Sequence, residues 1–225
     1  MSSVNYEDFI PDVLPMVPGC TDILVVQHIR AAAIELCEKS YFYHEDLDPV
    51  TVVPGIYEYD LDVPRNTVAH KLLWAVLEGR YVEFAGSALM AERYPNWREK
   101  ETRGKPKLIA QVRPDAFWLC PIPQDKVKNG LIIHAVLKPT RKSTSMEERV
   151  AEECHDAIVN GALFRLLRLP SKDWTDLGGA KVYGALFQDG IREAEVRGRN
   201  ADTPIARKTK YGGLPIRNGA RKVVW

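Results

Sequence analysis

Residues 114–139 read PDAFWLCPIPQDKVKNGLIIHAVLKP. Two short apolar runs, AFWLCPIP and LIIHAVLKP, are rich in aromatic and β-branched side chains and end at prolines, with Asn129-Gly130 between them as a turn signal. Runs of that length and composition are strands. The texture extends back through KLIAQV (107–112), YVEFAG (81–86) and TVVPGIYEYDL (51–61), so the chain is expected to be β from Val50 to Lys138. Inside that region Thr67 to Glu78 (TVAHKLLWAVLE) suits a strand or a helix by periodicity, and Ser87 to Arg93 reads as a short helix before Trp97.

Helical spacing takes over on both sides. Thr21 and Asp22 stand before Val26, Ile29, Ala33, Leu36 and Cys37, which predicts an amphipathic helix over 22–40 that runs into Tyr41, Phe42 and Tyr43. After Pro139, Ser145 and Glu148 form a capping-box pattern ahead of Val150, Cys154, Ala157, Ile158, Gly161, Ala162 and Leu166, and Pro170 ends that helix. A last helix is expected from about 176 to 197. Its seam of Leu177, Ala180, Gly184, Phe187, Ile191 and Ala194 alternates three and four apart, as close helix-on-helix packing requires. Glycines 178, 179, 184 and 190 each cost roughly 1 kcal/mol against alanine in a helix interior, so packing must compensate for them.

These patterns predict an α+β fold: an α-helical bundle core with an inserted antiparallel β lobe and an extended C-terminal tail. The core takes 22–45 and 140–198, the lobe 46–139 and the tail 199–225, while the proline-rich segment 1–21 receives no role. A chain of 225 residues with 45% hydrophobic and 27% charged content can bury its own core, which excludes wholesale disorder. Net charge is +1, yet residues 199–225 hold seven bases against one acid, leaving a +6 tail on a −5 body. Such a tail meets nucleic acid or an acidic protein surface.

Little in the sequence points to catalysis. The five histidines, His28, His44, His70, His134 and His155, lack HxxxH or HExxH spacing, and Cys20, Cys37, Cys120 and Cys154 lack a CxxC pair. Cys154-His155 are neighbours that point apart on a helix. No phosphate-binding glycine loop occurs, and Glu147, Glu148, Glu152, Glu153 and Asp156 suit a helix N-terminus better than a metal. No catalytic residue, metal or cofactor is expected. The absence of a membrane-length apolar run and an acidic N-terminus point to synthesis in a cytoplasm.

Four segments together resemble the head-to-tail adaptor proteins of tailed bacteriophages, also called head-tail connectors or tail tubular proteins. They are LDPVTVVPGIYEYDLDVP (47–64) behind the opening helix, residues 114–139, NGALFRLLRLPSKDWTD (160–176), and LGGAKVYGALFQDGIREAEVRGRN (177–200) before the basic tail. The resemblance covers most of residues 20–200. It implies a non-enzymatic virion protein forming a ring, usually of twelve, between portal and tail nozzle or tail tube, with DNA passing non-specifically through the lumen and no membrane contact. It also implies that the tail grips the portal, through Arg207, Lys208, Lys210, Tyr211, Leu214, Ile216, Arg217, Arg221, Lys222 and Trp225. Three other readings stand beside it: another phage tail or structural protein, a nucleic-acid-binding module stacking bases on Tyr211 and Trp225, or an enzyme such as a small hydrolase whose site forms only in an oligomer, for which the sequence shows no convergent nucleophile and base.

Overall fold

The computed structural model describes residues 2–99 and 103–200. The basic segment from 201 onward, with every residue assigned above to portal docking, lies outside the described residues. The architecture is α+β.

The chain opens with strand β1 (Ser3–Asn5), a 3-10 turn (Tyr6–Phe9), a short helix α1 (Ile10–Val13) and a second 3-10 turn (Leu14–Met16). Tyr6, Phe9, Val13 and Val17 are buried, so this segment is an apolar wedge rather than a loose leader. The long helix α2 (Asp22–Ser40) follows. Thr21 sits at its N-cap in extended conformation but gives no side-chain cap bond, and Tyr41 ends the helix in the left-handed region with φ 55°.

Strands β2 (His44–Asp46), β3 (Val50–Val52), β4 (Glu58–Asp60), β5 (Thr67–Leu77), β6 (Arg80–Tyr81) and β7 (Glu83–Phe84) come next, then helix α3 (Ser87–Arg93). Beyond it lie β8 (Arg103–Gly104), β9 (Leu108–Arg113), β10 (Ala116–Cys120), β11 (Ile122–Pro123), β12 (Val127–Pro139) and β13 (Ser145–Glu147). The described residues close with helices α4 (Glu148–Glu153), α5 (His155–Leu166) and α6 (Leu177–Asn200). The main sheet runs β2-β12-β5-β6, with β3 also on β12; a second runs β4-β10-β9-β7, and β1 pairs with β13.

Thr67–Leu77 is a strand, and its helix-like spacing has a local cause. Opposite β12, the register skips Leu73 and His70, since His134 faces Trp74, Ala135 faces Leu72, Val136 faces Lys71 and Leu137 faces Ala69. Each bulge inserts one residue, so the buried positions Ala69, Leu72 and Ala75 stand three apart instead of two. Asn129-Gly130 is likewise not a hairpin turn. It lies inside β12, at a register shift between Val127 and Leu131, with Asn129 at φ 49°. The tight turn is Glu78-Gly79, both at positive φ, which joins β5 to β6.

Leu131, Ile133, Ala135 and Leu137 of β12 alternate onto a face covered by α2, and α5 and α6 pack on α2's other side. One hydrophobic core therefore runs without a break from the helices into the main sheet. A second, smaller cluster gathers Met90, Trp97, Leu108 and Cys120 beneath α3. Three details of the helical half differ from the sequence reading. Ser145 lies in β13, and Glu147 caps α4 by accepting from the Val150 amide at 3.0 Å; the expected single helix is broken at Cys154 into α4 and α5. The last helix continues to Asn200, so Arg199, expected in the tail, is helical.

Candidate assembly surfaces

The inner face of α6 buries Ala180, Phe187, Ile191 and Ala194. Its glycines mark close approach: a Cβ on Gly184 would lie 2.8 Å from the Phe164 ring, and one on Gly190 would lie 2.6 Å from the Ala157 Cβ. Across the junction, a Cβ on Gly161 would meet the Ala32 Cβ and the Phe187 ring, both at 2.8 Å, so α2, α5 and α6 converge there. Leu177 departs from the seam and is 62% exposed. Asp176 caps α6, accepting from the Gly178 amide at 2.9 Å, which puts Leu177 at the first helical position facing solvent.

The outer face of α6 is apolar as well. Val182, Leu186 and Val196 are exposed there, with Asp189 and Glu193 between them. At about 100° per residue these five lie roughly 140–180° from the buried Ile191. A helix covered on one side only would carry polar residues on the other.

Alongside α2, a groove of about 830 Å³ opens between that helix, Arg165 of α5 and the end of β12. Ala31, Ile34, Val68 and Pro139 form its apolar lining, and Arg30, Lys39, Lys138, Arg141 and Arg165 surround them against two acids, Glu35 and Glu38. Both acids are engaged. Glu35 meets Arg165 and, at 2.5 Å, Lys39, while Glu38 meets Lys138 at 2.5 Å. Burial pushes the Glu35 carboxyl up, but the two cations outweigh it and hold it below its ordinary range. Arg30 donates to the Arg141 carbonyl at 2.6 Å and lies over the Tyr6 ring. Neither Arg30 nor Arg141 meets a carboxylate among the described residues.

A hydrogen-bonded histidine pair ties the end of α6 to the main sheet. His134 Nδ1 lies 2.6 Å from Asp46 Oδ1, His44 Nδ1 lies 2.8 Å from His134 Nε2, and His44 Nε2 lies 3.1 Å from the Gly198 carbonyl. Trp74 stacks on the His134 ring at 5.0 Å. Because both ends of this chain are acceptors, three hydrogen bonds need three protons on four ring nitrogens, one more than two neutral imidazoles carry. Burial, then His134, lower the His44 pKa, and the Gly198 carbonyl offsets only part of that. A neutral His44, with one ring proton, cannot donate both to His134 and to the Gly198 carbonyl.

The groups weighed as chemical candidates have structural partners. His155 stacks on Phe9 at 4.7 Å and meets Asp12 at 3.2 Å, while Cys154 is buried. Among the described residues no three His, Cys, Asp or Glu side chains converge as a metal site, and no helix is long and apolar enough to cross a membrane. The sequence reading missed the outer stripe of α6, the basic groove and the His44–His134 pair. Only the stripe had a signal, since Val182, Leu186 and Val196 recur at helical spacing outside the seam.

The family model described as SU10 adaptor protein matches residues 4–208. No curated protein matches the chain.

Proposed function

The chain belongs to the SU10 adaptor protein family, and from that premise we propose that it is a head-to-tail adaptor whose copies form a ring, joining the portal to the tail and continuing the DNA channel. A phage adaptor is a structural component of the virion and not an enzyme, and it works by contact with other head and tail components. The observation that carries the proposal is the extent of the match, which takes in α6 and the start of the basic segment as well as the sheets.

In this reading the ring has twelve copies and sits at the head-tail interface. Its partners are other copies of the chain, the portal, a tail nozzle or tail tube protein, and DNA threading the lumen without sequence preference. Residues 46–139 form the lobe inserted between the helical parts. Residues 201–225 dock on the portal: their lysines and arginines match acidic rims, while Tyr211, Leu214, Ile216 and Trp225 fill pockets. Twelve tethered tails raise the effective concentration of every individual contact.

The test deletes residues 201–225 and measures the melting temperature and attachment to portal-bearing heads. The expected result is an unchanged melt with attachment lost, because the buried core cluster of the described residues runs from Tyr6 to Ala194 and the tail has no apolar periodicity. Undiminished attachment would refute the docking role. A parent protein that neither binds heads nor forms a ring on them would refute the adaptor reading itself.

A further inference from the structure

We infer that the outer face of α6 of one copy seats in the basic α2–β12 groove of the next, making a head-to-tail subunit contact. The inference rests on the reading of the chain as a ring-forming adaptor and names the surfaces that would build the ring.

Complementarity between two different patches is the first ground. Val182, Leu186 and Val196 are 59%, 46% and 59% exposed, an unusual load of apolar surface for the outside of a helix whose inner face already fills a core. The acids among them can be recruited. Asp189 pairs only with Arg192 one turn away, at 2.7 Å and with both side chains more than half exposed, and Glu193 has no ion pair among the described residues. Exposed pairs of that kind contribute little and exchange readily. The groove offers the counterpart, an apolar lining beside Arg30 and Arg141, which meet no carboxylate among the described residues.

Placement is the second ground. Ala32 marks the side of α2 that meets α5 and α6. Of the groove's α2 residues, Gln27, Arg30 and Ile34 lie roughly 140–160° around the helix from Ala32, while Glu35 and Lys39, with Arg165 of α5, form its border toward α5. The stripe on α6 faces away from the same junction. The two patches thus come from different elements, one from α6 and the other mainly from α2 and the end of β12, and neither complements itself. A contact of that type is heterologous, and it propagates from copy to copy until it closes into a ring.

Charge reversal tests the contact on the full chain, read as loading and ring formation on portal-bearing heads. Asp189→Arg with Glu193→Arg is expected to abolish ring formation, as is Arg30→Glu with Arg141→Glu. The variant carrying all four substitutions is expected to regain at least half of the parent loading, because each reversed face again meets its opposite. Rings formed at parental level by either double variant would overturn the contact while leaving the adaptor reading intact. A parent that makes no ring would instead sink the adaptor reading. Should Arg30→Glu disturb the fold through its contact with Tyr6, an oxidised Ile34→Cys, Leu186→Cys double variant supplies an independent readout. A ladder of covalent multimers that neither single variant gives supports the contact, and a monomer band from assembled rings overturns it.

Discussion

Two glycines of the helical layer would carry a new Cβ equally close to a neighbour, yet the structure predicts opposite outcomes for Gly161→Ala and Gly184→Ala. Both replacements gain about 1 kcal/mol of helix propensity. At Gly161 the added methyl would lie 2.8 Å from the Ala32 Cβ on one side and 2.8 Å from the Phe187 ring on the other. Both neighbours are fully buried, and Ala32 has no torsion with which to yield. Relief requires moving α2 or α6, and overpacking of that kind costs about 1–3 kcal/mol. At Gly184 the obstacle is the Phe164 ring alone, 2.8 Å away, and Phe164 is only half-buried, so the ring can swing outward. The expected result is a net loss of about 1 kcal/mol for Gly161→Ala and a gain of up to about 1 kcal/mol for Gly184→Ala. At about 2–4 °C per kcal/mol for a chain of this size, the two should melt about 4–8 °C apart. Gly184→Leu, whose bulk a ring swing cannot accommodate, should fall below the parent. Thermal melting followed by circular dichroism measures all three, and a Gly161→Ala variant that melts at or above Gly184→Ala would refute the reasoning.

Burial lowers the pKa of His28, His44 and His70, so the unfolded chain binds protons more readily than the folded one as pH falls through about 6.5. Their stabilising contribution is present above that pH and is lost on acidification; Glu45, raised by burial, acts in the opposite direction but nearer the carboxylate range. The melting temperature should drop between pH 7.5 and 5.5, and a rise would contradict these environments. Tyr6 and Ser143 share a buried 2.8 Å hydrogen bond, and the Ser143 hydroxyl donates to the Thr140 carbonyl at 2.7 Å. Tyr6→Phe should cost about 1 kcal/mol, whereas Ser143→Ala, which strands the buried phenol, should cost about 1–3 kcal/mol; the reverse order in urea melts would show that the phenol has another partner. All four cysteines are buried, and burial pushes Cys120 up to about 11 and Cys154 up to about 12. Alkylation at pH 8 should modify none of them in the native protein and all four in urea, and rapid native labelling would place at least one thiol at the surface.

Where side-chain periodicity is undisturbed, the sequence alone locates the element. Helices α2 and α6 are found within three residues at either end, because their core positions recur at regular helical spacing. Where the backbone carries an extra residue, the reading fails in a specific way. The two bulges of β5 turn a spacing of two into a spacing of three, and the bulge at Asn129-Gly130 copies the composition of a turn. The N-terminal wedge was hidden differently. Tyr6, Phe9, Val13 and Val17 have helical spacing, but Pro11 and Pro15 break the segment into one-turn pieces that no helix signal spans. The capping-box reading lost to Glu147, one residue before Glu148 and equally able to accept from an amide at N3.

The candidate assembly surfaces were harder to read than the fold for a reason that lies in the chemistry of α6. Apolar residues cover both sides of that helix, and a sequence does not say which stripe faces the chain's own core. Leu177 shows the ambiguity: it continues the inner spacing of the seam, yet the Asp176 cap turns it to solvent. Only when Phe187 and Ile191 are seen against α5 and α2 does the stripe of Val182, Leu186 and Val196 stand out as surplus. The groove has no periodic signature at all, since Arg30, Arg141 and Arg165 come from three segments brought together by folding. A surface that sets an exposed apolar stripe on one side against Arg30 and Arg141, which meet no carboxylate among the described residues, on the other exceeds what the packing of one copy requires. Its residues are therefore explained by a neighbour, and this is the reason to test them by restoring charge complementarity rather than by simple loss.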